Sequence, residues 1–113
     1  MTLPQSAYDR VSGTVSEAAF MATITQAAEL YGWWHHHTYD SRRSTAGVPD
    51  LMLIKGHRII YLEIKREKGR LTIAQADVLA MLENVGCCAD CGAVTAAVVR
   101  PSDWEQIVEW LSA

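Results

Sequence analysis

Two short apolar runs separated by a turn constrain this chain more than anything else in it. One is Asp50 to Ile54. The other, Ile59 to Lys65, is strongly β-branched, and Lys55-Gly56-His57-Arg58 between them is turn-like. β-Branched side chains suit a pleated, half-buried surface, so the pair reads as a hairpin. With its turn near Gly56-His57, Asp50 falls opposite roughly Glu63 to Lys65. Side chains alternate along a strand. In Tyr61-Leu62-Glu63-Ile64-Lys65, Glu63 and Lys65 therefore share one face, and Leu62 and Ile64 share the other.

Other elements can be placed around that hairpin. Residues 1–13 lack periodicity, carry Pro4 and Gly13, and read as a flexible N-terminal arm. Thr14-Val15-Ser16-Glu17 has capping-box spacing and opens a helix. Its apolar stripe runs through Phe20/Met21, Ile24, Ala27/Ala28 and Tyr31 to a stop at Gly32. Trp33 to Tyr39 reads as a strand and Asp40 to Gly47 as a polar loop. Thr72-Ile73-Ala74-Gln75 is a second capping box. It opens a helix with Val78/Leu79, Leu82 and Val85 on one face and Gly86 at its end. Val94 to Val99 reads as a buried strand, and Ser102-Asp103-Trp104-Glu105 caps a last helix with Trp104, Ile107, Val108 and Leu111 along its stripe. The order helix, strand, hairpin, helix, strand, helix is that of an α/β domain, a central mixed sheet flanked by helices. With 113 residues, one domain over 14–113 is expected.

Charge is unevenly spread. The net charge is −3, but Ser41 to Arg70 holds eight basic residues against three acidic ones, a local balance of +5 that leaves −8 for the remainder. A basic segment in an acidic chain suits a localised phosphate-binding face, and an ordinary solvated surface would account for it as well. No apolar run reaches the ~18 residues of a membrane span. The N-terminus has no secretory pattern, and the three cysteines, Cys87, Cys88 and Cys91, make a poor disulfide framework. A cytoplasmic protein is expected.

A carboxylate and an ammonium on an otherwise apolar strand are costly unless paired or used. Alone, they fit a same-face ion pair. Asp50, in Gly47-Val48-Pro49-Asp50, brings a second carboxylate beside the first. Like charges that close require a cation between them, or a proton on one of them. A hard cation such as Mg²⁺ suits carboxylates, water and phosphate oxygens. Lys65 is placed to neutralise charge on a phosphoryl group or to activate a nucleophile. Glu17 lies on the inward stripe of the first helix and Gln75 on that of the second, where either a capping role or a place in the site would explain it.

Gly47-Val48-Pro49-Asp50-Leu51, Glu63-Ile64-Lys65, Gly69-Arg70-Leu71-Thr72 and Gln75, in that order, resemble the PD-(D/E)xK nuclease superfamily. Within it the chain resembles the VRR-NUC family, which Glu17, the Ser41-Arg42-Arg43-Ser44 loop and Val99-Arg100-Pro101-Ser102-Asp103 also fit. The resemblance implies a restriction-endonuclease-like αβββαβ core. It implies catalysis by Asp50, Glu63, Lys65, Gln75 and Glu17, with Mg²⁺ or Mn²⁺ held by Asp50, Glu63, the Ile64 carbonyl and Glu17. It further implies endonuclease activity on DNA, structured or branched as in a junction, in a homodimer without a small-molecule cofactor. Such stand-alone proteins are often of phage origin, which would place this one in a bacterial or phage-infected cytoplasm. A non-catalytic nucleic-acid-binding module with the same fold is the alternative. Ser41, Arg42, Arg43, Lys68 and Arg70 are the candidate phosphate contacts, which position a duplex without reading its sequence. His35-His36-His37 and Cys88-Ala89-Asp90-Cys91 lack the four-ligand spacing of a structural zinc. His37 adjoins the loop to Asp50, where a phosphate or water contact stays open. Trp33-Trp34 suits core or dimer packing better than base stacking.

Overall fold

The structure, a computed structural model, describes residues 15–38, 45–85 and 94–113. The expected arm, Thr14, the Ser41-Arg42-Arg43 contacts, Gly86 and the cysteine cluster lie outside the described residues.

The observed order is α1 (Glu17–Leu30), β1 (Trp34–His37), β2 (Leu51–Lys55), β3 (Arg58–Ile64), α2 (Ile73–Val85), β4 (Val94–Val99), a 3₁₀ turn (Pro101–Asp103) and α3 (Trp104–Ser112). The sheet runs β1-β2-β3-β4. β1 and β2 pair antiparallel, as do β2 and β3, while β4 lies parallel to β3. The sheet is therefore mixed, as expected, because the α2 crossover returns the chain in the direction of β3.

The hairpin has the expected register, with Lys55 opposite Arg58 and Leu51 opposite Leu62. Its two-residue loop puts Gly56 at φ +59 while His57 stays at negative φ, the pattern of a type II′ turn. Leu51, Leu53, Ile60, Leu62, Ile64 and Val99 pack from one sheet face against Phe20, Ile24 and Ala28 of α1 and Ile107 and Leu111 of α3. Burying each of these large side chains stabilises the fold by roughly 1.5–3 kcal/mol. Pairing of Glu63 with Val98 and Tyr61 with Ala96 marks the opposite face, and α2 packs along β4.

Several local expectations change. Ser16 caps α1, its hydroxyl accepting from Ala19 N at 3.0 Å, so the cap lies two residues later than the expected Thr14 and Glu17 is the first helical residue. Trp33 precedes β1 and is buried, its Nε1 donating to Leu111 O at 2.9 Å; Trp34 is exposed and stacks on His36. Val85 is exposed because α2 turns only Leu79 fully inward. The Ser102 hydroxyl caps nothing: Asp103 accepts from Arg100 N, and Ser102 turns to Glu67.

Candidate active site

Three elements end at the same edge of the molecule. β3 delivers Glu63 on the α2 side of the sheet and continues into Lys65, whose N–H donates to Val99 O at 3.0 Å. Asp50 stands at the head of β2, next to buried Pro49. Its side chain accepts from Ile64 N at 2.9 Å, and its carbonyl accepts from Thr38 N at 2.9 Å. Asp50 is thus tied to both neighbouring strands.

Gly47 allows this approach. The loop before Asp50 crosses the first turn of α2 so closely that a Cβ on Gly47 would lie 2.3 Å from Ala74 O and 2.8 Å from Val78 Cγ2. Its φ of +92 is one that glycine adopts freely and other residues rarely do. In the sequence, Gly47 shows only as part of a loop and motif. A conformational requirement for glycine gives no periodic signal.

Gln75 both completes the capping box and reaches Glu63. Thr72 Oγ1 accepts from Gln75 N, and Gln75 Oε1 accepts from Thr72 N, which completes the capping box. That leaves Nε2 to donate to Glu63 Oε1 at 2.9 Å. The box orients the amide that touches the buried carboxyl.

Glu63 is 2% exposed. Lys65 Nζ lies 3.9 Å from its Oε1, and Oε2 is buried without a partner. Burial pushes the Glu63 carboxyl up from 4.5 to about 8, helped by the neighbouring Asp50 side chain, opposed by Lys65 and aided slightly by Glu17. A cleft of about 290 Å³ gathers Glu17, Asp50, Glu63, Lys65 and Gln75, with Thr38, Thr45, Gly47 and Val48 completing its wall. Glu17 differs from expectation, because it stands exposed at the rim rather than pointing inward. Starting α1 at Glu17 puts it on the outermost turn, beyond the layer that Phe20 covers.

Among the described residues, no three His, Cys, Asp or Glu side chains cluster closely enough to hold a metal by themselves. Asp50 and Glu63 nevertheless fit one hard cation. They offer two acidic side chains, an orphaned buried oxygen and an open cleft for water and substrate oxygens. The His run offers less, since His35 is engaged with Glu29 Oε1 at 2.9 Å.

Of the candidate phosphate contacts within the described residues, Lys68 and Arg70 are exposed on the segment that follows Lys65. Lys55 and Arg58, counted in the basic segment, are not part of this face. They sit at the hairpin turn, where Lys55 Nζ donates to Tyr31 O and Arg58 to Trp110 O and Ala113 O. Sequence reading noted Arg100 only as part of the family pattern and gave it no role, yet it donates to Gly69 O at 2.8 Å; it missed Thr38, which holds the Pro49-Asp50 backbone. Both act on main-chain atoms, which side-chain patterns do not reveal.

A four-stranded mixed sheet between helices, with Asp50 and Glu63-Ile64-Lys65 converging at one end, defines a nuclease-type core of restriction-endonuclease-like architecture. A family model described as the VRR-NUC domain matches residues 6–96. The chain belongs to this family, a nuclease domain of the PD-(D/E)xK type. Comparisons with curated proteins and with solved structures gave no match. The matched span includes all nine residues that line the cleft and stops before Arg100. Among the described residues, no helix is long and apolar enough to cross a membrane.

Proposed function

We propose that this nuclease is a metal-dependent endonuclease that hydrolyses phosphodiester bonds in structured or branched DNA. The observation that carries this reading is the buried Glu63 carboxyl, with an unpartnered oxygen, beside Asp50 and Lys65 in an open cleft. Such a group is expensive in a merely structural role. A binding-only module would have no use for it.

Asp50 and Glu63 would hold Mg²⁺ or Mn²⁺, with the Ile64 carbonyl and water as further ligands and Glu17 acting from the rim. When bound, the cation supplies Lewis acidity and makes a nucleophilic hydroxide available near neutral pH. The chain's own groups do the remaining work. Gln75 Nε2 keeps Glu63 oriented through its 2.9 Å bond. The Ile64 N–H fixes Asp50. Lys65 Nζ, 3.9 Å from Glu63 Oε1, would donate to a non-bridging phosphoryl oxygen as negative charge grows there. Lys68 and Arg70 meet backbone phosphates beyond the cut. A junction presents two strands, which two copies of this site in a homodimer would serve.

The test is cleavage of matched duplex, flap, single-stranded and four-way DNA with Mg²⁺ or Mn²⁺. Asp50→Ala and Lys65→Ala should each lower the rate by at least ~10²-fold, the scale of losing one charge-stabilising group. If wild type cuts none of these, or the variants cut equally well, the enzyme reading fails. Sizing in solution tests the dimer.

A further inference from the structure

The Arg100-to-Asp103 segment fits the sequence resemblance, yet it contributes no side chain to the cleft. Its contacts lead elsewhere. Beyond β3, the backbone folds into a turn closed by Gly69 N donating to Arg66 O at 2.9 Å. Two groups from the β4–α3 junction grip that turn. Arg100 Nη2 donates to Gly69 O at 2.8 Å. Ser102 donates to the Glu67 carboxylate twice, from its N–H at 3.1 Å and from its hydroxyl at 2.5 Å. The turn borders an open cavity of about 300 Å³ lined by Arg66, Glu67, Lys68 and Gly69.

The two grips have different effects. The first holds the turn that follows Lys65 at Gly69, whose Cα side faces Arg66 N and O so closely that an added Cβ would lie 3.3 Å from each. The second ties down Glu67, the acid in a stretch that otherwise reads Lys65, Arg66, Lys68, Arg70. Ser102 engages both carboxylate oxygens of Glu67, which fixes the one acid among four cations in this stretch. Arg66 and Lys68 remain exposed on the turn. A turn held in advance loses less conformational freedom on binding than a mobile one does.

We propose that the Arg66-to-Gly69 turn is a preformed seat for a non-scissile nucleic-acid phosphate, with Arg66 and Lys68 as its contacts and Arg100 and Ser102 as positioning residues that act through Gly69 and Glu67. The seat rests on the nuclease reading of the neighbouring cleft and fixes where the strand lies relative to Lys65.

The test is binding of a fluorescein-labelled DNA duplex in chelator, titrated over roughly 50–200 mM salt. Arg66→Ala with Lys68→Ala, both at exposed positions, should weaken binding at least tenfold at low salt. The slope of log affinity against log salt should fall by roughly 0.9, the share of the one phosphate no longer neutralised. Ser102→Ala and Arg100→Ala should raise KM at least threefold while kcat and Mn²⁺ affinity stay within twofold, and Arg100→Lys should recover part of the loss. An unchanged affinity and salt slope in the double variant overturns the seat. If Arg100→Ala does not fold, Ser102→Ala decides the clamp, and its wild-type KM would overturn that part. Because binding is read without cleavage, an inactive wild type that still shows the double-variant effect would sink the catalytic reading and leave the seat standing.

Discussion

Glu63 is where the cost of the site is concentrated. In the metal-free chain its carboxyl is pushed up to about 8, against 4.5 for an ordinary glutamate. Between those values the native state holds a proton that the unfolded state has lost. The metal-free protein should therefore lose stability as pH rises from about 4.5 to about 8, by at most ~1.4 kcal/mol per pH unit from this group. Thermal melts in chelator from pH 5 to 8.5 read this directly. Glu63→Gln should remove most of the slope and raise the metal-free Tm at pH 8. Added Mn²⁺ should restore wild type at high pH, by ~2.7 kcal/mol at a hundred times its Kd, and leave Glu63→Gln unmoved. A flat wild-type melt across that range would mean that the buried pair is not held as described. Much of this residue's role was legible in sequence, because a glutamate on an apolar strand breaks the pattern of its neighbours. Its dependence on Gln75 was only half legible. A capping residue and a partner of Glu63 look alike at that position, and one side chain makes both sets of hydrogen bonds.

At the scale of elements, what counts is how loops and caps bring side chains to one edge. The β2–β3 hairpin and β4 were readable because strand pattern, turn chemistry and alternation agree. The start of α1 was not, since Thr14 and Ser16 are both competent caps and only packing chooses between them. Ser102 misled for a related reason: its hydroxyl has a better partner in Glu67, 35 positions away in sequence. Gly47 gives the sharpest test at this scale. Gly47→Ala places a Cβ against Ala74 and strains the backbone, so it should cost at least ~2 kcal/mol, a Tm drop on the order of 10 °C in a domain of this size. It should also cut cleavage by displacing Asp50. Thr72→Ala tests the cap alone. It should cost ~1 kcal/mol and keep Mn²⁺ affinity within twofold, whereas Gln75→Ala should weaken Mn²⁺ binding as well. Equal Mn²⁺ affinities in the two variants would remove Gln75 from the site.

The whole molecule is polarised, and the charge pattern alone hides this. Five residue steps of ~3.3 Å separate Asp50 from Lys55, which puts the hairpin turn about 16 Å from the cleft. There Trp33 is the hub. Its indole N–H holds Leu111 O, the Arg58 guanidinium lies 4.9 Å over its ring, and Lys55 Nζ lies 6.0 Å from its centroid. Arg58 also donates to Trp110 O and Ala113 O, satisfying carbonyls that the end of α3 leaves without helical partners. A cation is favoured at that end of a helix. Two of the eight basic residues in the Ser41-to-Arg70 segment thus close the structural end of the molecule, while Lys65, Arg66, Lys68 and Arg70 cluster at the functional end. Arg58→Ala separates these readings. It should lower stability by ~1–2 kcal/mol, because the carbonyls and the indole ring lose their cation; the denaturant midpoint measures this. It should leave DNA affinity and its salt slope at wild-type values. A drop in salt slope comparable to that of Arg66→Ala with Lys68→Ala would return Arg58 to the substrate face, and would mean that DNA wraps far enough to reach the hairpin turn.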